Sequence, residues 1–98
     1  MTRVIDYLSP REYDEVAEAE TRQRGWSRVL RCFLDGPRLR LGWDLALTRG
    51  EIERRAGLAA ATSGEAIDEA SRWATRHGLH LLGWEEEDGS RLYFMAVG

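Results

Sequence analysis

TRGEIERRAGLAAATSGEAIDEASRWATRHG, residues 48–78, carries the signals from which the architecture is read. Thr48 and Glu51 stand three apart as a capping box, in which the hydroxyl accepts an orphan amide and the carboxylate reaches back to the cap amide. Leu47 and Ile52 occupy the two positions of its hydrophobic staple. Arg54, Arg55 and Ala56 then run into Gly57, a left-handed stop preceded by positive charge, so a helix is expected over 49–56. Thr62 and Glu65 repeat the box, Ala66, Ile67, Ala70, Trp73 and Ala74 follow at helical spacing, and Gly78 closes after Arg76 and His77. A second helix is expected over 63–77.

On the C-terminal side, Leu79–Glu87 and Ser90–Val97 flank Asp88 and Gly89, a dipeptide suited to a type I′ turn. This predicts a hairpin over 79–97 in which Glu87 faces Ser90, Glu86 faces Arg91 and Trp84 faces Tyr93. On the N-terminal side, Ser9, Pro10 and Glu12 form another helix start, with Leu8 and Tyr13 as staple. Tyr13, Val16 and Ala17 make one apolar stripe, and Trp26, Val29, Leu30, Phe33 and Leu34 make another. The helical region over 10–35, stopping at Gly36 and Pro37, is therefore either one bent helix or two helices broken near Gly25. Beyond it, Leu39, Leu41 and Trp43 alternate with Arg38, Arg40 and Gly42, the period of a short strand over 38–43 whose expected partner is the C-terminal hairpin.

The whole chain, 1–98, is expected to be a single α+β domain. Its 98 residues suffice for one core, burying roughly 60–70% of the surface that the unfolded chain exposes. The balance of 17 acidic and 14 basic residues, net −3, is unevenly laid out. Residues 1–21 sum to −4, 22–40 to +5, 41–61 to zero and 62–98 to −4. No apolar run is long enough to cross a bilayer, so no membrane association is expected. MTRVIDYLSP lacks the features of a secretory signal, so the expected compartment is the cytoplasm. Cys32 is the sole cysteine and reads as a small packing residue.

Leu47, Thr48, Glu51, Ile52, Arg55, Ala56, Gly57 and Leu58, then Ala66, Ile67, Ala70, Trp73, Ala74, Gly78 and Leu79, form a pattern that resembles the winged helix-turn-helix superfamily of bacterial regulator type, over about residues 44–97. The resemblance implies a recognition helix over 63–77 and a wing over 79–97. That superfamily includes DNA repressors, replication proteins and modules that bind only other proteins, so fold alone does not choose the partner.

In DNA-binding members the first turns of the recognition helix read bases and the wing meets the backbone. Here those turns read Ser63, Gly64, Glu65, Ala66, Ile67, Asp68 and Glu69, with Glu65 assigned to the helix cap. Arg72 and Arg76 lie in the later turns. The wing tip is Glu85, Glu86, Glu87 and Asp88, with Arg91 alone across from it. Carboxylates at phosphate distance remove the counterion-release gain on which DNA affinity depends. The preferred expectation is therefore a protein-binding module whose partner surface is Asp68, Glu69, Trp84, Glu85, Glu86, Glu87 and Asp88, docking on a basic protein surface that itself holds nucleic acid. Compact acidic inhibitors or regulators from phages or mobile elements would present such a face.

The alternative is a DNA-binding transcriptional regulator using Arg24, Arg28 and Arg31, a row at i, i+4 and i+7, together with Arg38, Arg40, Ser63, Arg72, Arg76 and Arg91. The complementary charge blocks and the long helical region also allow a homodimer. An enzyme is the remote reading, because no nucleophile–base pair, converging carboxylates or phosphate-binding glycine pattern is visible. His77 and His80 straddle the Gly78 helix end, so no metal or other cofactor is expected. His77 reads as a dipole partner, His80 as a strand residue, and Trp26, Trp43, Trp73 and Trp84 as core or semi-core anchors, with Trp84 a candidate hot spot.

Overall fold

The Ser9 box forms as its residues dictate: the Glu12 amide donates to Ser9 Oγ at 3.2 Å and the Ser9 amide to Glu12 Oε1 at 2.8 Å, starting helix α1, Pro10–Thr21. The computed structural model describes residues 6–98; residues 1–5, the start of the MTRVIDYLSP segment, lie outside the described residues. Helix α2, Gly25–Arg31, is separate from α1. The break falls at Gln23, whose φ is 57°, while the amides of Gln23 and Arg24 close the last turn of α1 on Glu20 and Ala19. Gly25 has a different task. A Cβ there would lie 3.1 Å from the Ala66 Cβ, so the missing side chain lets α2 approach the helix that carries Ala66.

The helical region ends at Arg31 rather than at 35. Leu34–Asp35, β1, and Arg38–Leu39, β2, form a small antiparallel hairpin around Gly36 and Pro37. Gly36 has φ 58° and proline cannot take a positive φ, which is the combination of a two-residue type II′ turn. The strand expected over 38–43 is thus only two residues long, and its strand partner is β1 instead of the C-terminal hairpin. Leu41 makes a lone parallel bridge to Met95, and Gly42, at φ 60°, turns the chain into a 3₁₀ turn, Gly42–Leu45. Trp43 is carried outward on that turn, 60% exposed, and is not the anchor its type suggests.

Strand β3, Leu47–Thr48, leads into helix α3, Arg49–Ala56, through the Thr48–Glu51 box, and Gly57 stops it at φ 66°. Helix α4, Ala60–Arg76, starts three residues before position 63. The expected Thr62–Glu65 box does not form: Ala59 is the cap residue, and the Thr62 hydroxyl donates to the Ala59 carbonyl from within the first turn. Three consecutive alanines, the best helix formers, extend the helix past the polar signal. Ser63 is consequently inside the fold. Its hydroxyl donates to Glu53 Oε2 at 2.6 Å and accepts from Arg49 Nε at 2.9 Å, clamping α3 to α4.

Strands β4, Leu79–Glu85, and β5, Arg91–Val97, complete a three-stranded antiparallel sheet in the order β3-β5-β4. Among the described residues the chain is an α+β fold of four α-helices and two small antiparallel sheets, and no helix is long and apolar enough to cross a membrane. The core gathers Val16, Val29, Leu30, Phe33, Ile52, Ile67, Leu79 and Met95 around Trp73. The Trp73 ring stacks on Trp26 at 5.8 Å and on His77 at 4.0 Å, and its Nε1 donates to Glu15 at 2.8 Å, so one side chain ties α4 to α1 and α2.

The α1–α2 break generates a paired prediction. Gln23→Gly relieves a left-handed residue and raises stability by about 1 kcal/mol, whereas Gly25→Ala pushes against Ala66 and lowers it. Urea denaturation of the two variants should move in opposite directions; a fall for Gln23→Gly would contradict the assigned break.

Candidate protein-docking face

The hairpin tip differs from the expected type I′ turn. Glu85 pairs with Arg91, Trp84 with Leu92 and Gly83 with Tyr93, one residue out of the expected register. The Glu86 amide donates to the Ser90 carbonyl at 2.7 Å and the Gly89 amide to the Glu86 carbonyl at 3.0 Å, enclosing a three-residue loop, Glu87–Asp88–Gly89. Only Gly89, at φ 87°, is left-handed; a type I′ turn needs two such residues, and the aspartate does not supply the second. Asp88 instead accepts from the Ser90 amide at 2.9 Å and the Ser90 hydroxyl at 2.6 Å, and the hydroxyl first, then the amide, hold its carboxyl below the usual aspartate range.

This register sorts the side chains. Leu79, Leu81, Gly83 and Glu85 share the inner face, where Leu79 and Leu81 are buried. His80, Leu82 and Trp84 share the outer face with their partners Ala96, Phe94 and Leu92. On that outer face Leu82 is 43% exposed and Trp84 54% exposed. Trp43 reaches over from the 3₁₀ turn to meet Phe94 at 4.9 Å and Trp84 edge-on at 6.2 Å. An aromatic and aliphatic strip therefore lies open to solvent, and Trp84 together with Glu85, Glu86, Glu87 and Asp88 lines a shallow concavity at its end.

The tip carboxylates are not neutralised by any described residue. Among the described residues, no cationic side chain comes within 4.0 Å of Glu85, Glu86, Glu87 or Asp88. Arg91, directly across from Glu85, lies flat over Gly83 instead; a Cβ on Gly83 would stand 2.9 Å from the Arg91 Cδ. The two acids of α4 do not join this patch. Asp68 lines a groove on the inner side of the hairpin with Arg49, Ser71, Gly83, Arg91 and Tyr93, while Glu69 turns toward Trp26 and Arg72. Consecutive helix positions point about 100° apart, so one face cannot hold both.

The arginine row fares differently from its spacing. Arg24 caps α2 in an extended conformation and so leaves the helix face. Arg31 is tied down, donating to Glu20 at 2.6 Å and to the Tyr13 hydroxyl at 3.1 Å; the Tyr13 bond and then Glu20 raise its pKa further against the opposing effect of burial. Arg28 is half-buried, Arg38 is exposed on β2, and Arg40 is half-buried beyond it. Ser63 is 0% exposed and cannot touch a base from its place between Arg49 and Glu53. Arg72 and Arg76 stand exposed on α4.

Other titratable groups have local structural causes. Burial raises the Cys32 thiol, with Arg55 opposing. The Thr48 amide, then the Thr48 hydroxyl, lower Glu51 in its cap. His77 lies 2.9 Å from Glu12 through Nδ1, a tertiary contact to α1 in addition to its place at the end of α4, and His80 is an exposed residue of β4. No group of three metal-ligating side chains is found among the described residues.

No known family, curated protein or solved structure matches the chain. Sequence reading places Trp84 on the candidate partner surface but gives Trp43, Leu82 and Phe94 no part in it, so the outer sheet face as a whole was missed. A signal was present: LHLLGW, 79–84, places apolar residues on both faces of one strand, so one face had to be left for something other than the core.

Asp88 provides a test of the tip geometry. Its lowered pKa means that the turn gains stability above the ordinary value of 3.8 and loses it as pH falls through the lower folded midpoint. An NMR titration of the carboxyl should give a midpoint below 3.8, and Ser90→Ala should shift it upward by removing the larger donor. An unchanged midpoint in Ser90→Ala would contradict the turn described.

Proposed function

We propose that the chain is a small, non-enzymatic winged helix-turn-helix module that works by docking on a basic protein surface through the hairpin tip and the outer sheet face. The order β3, α3, α4, β4, β5 and the sheet order β3-β5-β4 support that fold reading, with α3 and α4 as the helix-turn-helix and β4–β5 as the wing. One observation carries the functional reading: exposed Trp43, Leu82 and Trp84 adjoin four acids that no cation neutralises within the described residues. A surface that normally holds nucleic acid has the required charge, and a compact inhibitor or regulator from a phage or mobile element is the biological setting that suits it.

Magnitudes divide the labour between the two halves of the face. An exposed ion pair contributes about 0–1 kcal/mol, whereas a buried tryptophan hot spot contributes about 2 kcal/mol or more. Trp84 and Trp43 therefore supply affinity, while Glu85, Glu86, Glu87 and Asp88 steer encounter and select a basic partner. Docked on duplex DNA, the same wing would set four acids against phosphates within the ~8 Å reach of exposed charges at physiological salt.

A second reading, a DNA-binding regulator, has its own support in Arg49 and Arg91, which flank the groove between α4 and the sheet, and in the exposed Arg72 and Arg76. Against it, Asp68 shares that groove and Arg49 is occupied by Ser63 and Ala60.

The test compares wild type with the Glu85→Arg, Glu86→Arg, Glu87→Arg triple variant in co-purification from the host, beside a mobility-shift series on duplex DNA at rising salt. The expected result is a protein partner lost in the triple variant with an unchanged circular dichroism spectrum, and no retarded duplex even at low salt. Trp84→Ala should weaken the same partner about 30-fold, with little salt dependence. Retention of the partner by the triple variant would overturn the proposal, and a salt-sensitive duplex shift that Arg72→Ala or Arg76→Ala weakens would overturn it in favour of the second reading.

A further inference from the structure

Strand β4 forms one edge of the three-stranded sheet, with β5 as its only strand neighbour among the described residues. The outward-pointing backbone groups follow from the two hydrogen bonds that bracket the hairpin, Gly98 amide to Gly78 carbonyl and Glu86 amide to Ser90 carbonyl. Both involve even-numbered residues that flank β4, Gly78 and Glu86. In an antiparallel pair the hydrogen-bonded positions alternate, so His80, Leu82 and Trp84 bond to β5, while Leu79, Leu81, Gly83 and Glu85 aim their N–H and C=O groups away from it. Residues 82–85 are all exposed, and the strand has neither proline nor bulge; Glu85 at its end is the one charged side chain on its inner face.

We infer that this edge pairs with β4 of a second copy of the chain, antiparallel and centred on Gly83, joining two three-stranded sheets into one of six. The strand's own side-chain order is what selects a second copy. A two-fold axis at Gly83 sets Leu81 opposite Glu85 of the other copy, so the outward groups of Leu81, Gly83 and Glu85 meet their equivalents in hydrogen-bonding register. On the outer face, Leu82 then lies across from Trp84 of the other copy, and His80 across from its Glu86, each pair occurring twice. Apolar meets apolar, and the imidazole, which lies beside Gly98 in the single chain, is brought next to a carboxylate. At the centre Gly83 faces Gly83, leaving the stem of Arg91 over its own strand undisturbed.

Pairing at the edge does not cover the outer face; it doubles it, making a strip that runs from Phe94 and Leu82 of one copy to Trp84 and Leu92 of the next. This inference rests on the backbone pattern of β4 and stands apart from the identity of any basic partner.

Sedimentation velocity over a concentration series, with amide exchange read by NMR, tests it on the full chain. The expected result is a monomer–dimer equilibrium in which the Leu81, Gly83 and Glu85 amides become protected as concentration rises. Glu85→Pro removes an outward N–H without touching the bonds to β5 and should weaken the dimer at least tenfold, whereas Glu85→Ala, which keeps that N–H, should retain it. His80→Glu should weaken it about threefold or more through repulsion by Glu86, and the double variant His80→Glu, Glu86→Arg should restore it. A chain that stays monomeric up to ~1 mM, a dimer indifferent to Glu85→Pro, or a charge swap that fails to rescue would each overturn the inference.

Discussion

The pairing of β4 with β5 is the constraint on which the proposed docking surface depends. Side chains on a strand alternate, so a slip of one residue would send every inward group outward. With Glu85 against Arg91 and Leu79 against Val97, the chain buries Leu79, Leu81 and Met95 under α4 and leaves Leu82 and Trp84 in solvent. The same register turns Arg91 inward over Gly83 and away from the tip acids. Apolarity of the outer face and a tip charge that no described residue pairs are thus two results of one hydrogen-bond pattern.

What holds that sheet in place is the packing of α4. Trp73 is buried where α4 meets α1 and α2, stacked on Trp26, with Glu15 satisfying its indole N–H and His77 lying on its ring. Burying a tryptophan without a partner for that donor would forfeit much of the gain, so the acidic side of α1 is used structurally. Glu12 and Glu20 are likewise engaged, with His77 and Arg31. The N-terminal acids and the tip acids therefore differ in kind: the first group stitches helices together, and the second faces solvent. Net charge alone, −3 over the chain, conceals that division.

Much of the fold was legible where a local rule has a single physical answer. Ser9–Glu12 and Thr48–Glu51 predict their helix starts because each box satisfies two amides at once, and Gly57 and Gly78 mark stops because both positions need positive φ. Legibility failed where two local rules competed. The Thr62–Glu65 spacing fits a box, but the alanines before it carry the helix back to Ala60 and draw Ser63 into the α3–α4 clamp. Asp88–Gly89 suits a two-residue turn, yet the bonds from Ser90 stabilise a three-residue one. At the site, the tip acids were visible as a run, whereas the outer face needed tertiary information: no local pattern reveals that Gly42 swings Trp43 onto Phe94.

Cross-strand NMR contacts test the register most directly, because facing residues that do not hydrogen-bond bring their α-protons close together. The register requires α-proton contacts between Leu81 and Met95, between Gly83 and Tyr93, and between Glu85 and Arg91. Contacts linking Trp84 to Tyr93 or Glu86 to Arg91 would contradict it, placing Trp84 and Leu82 on the other face and removing the proposed docking surface with them.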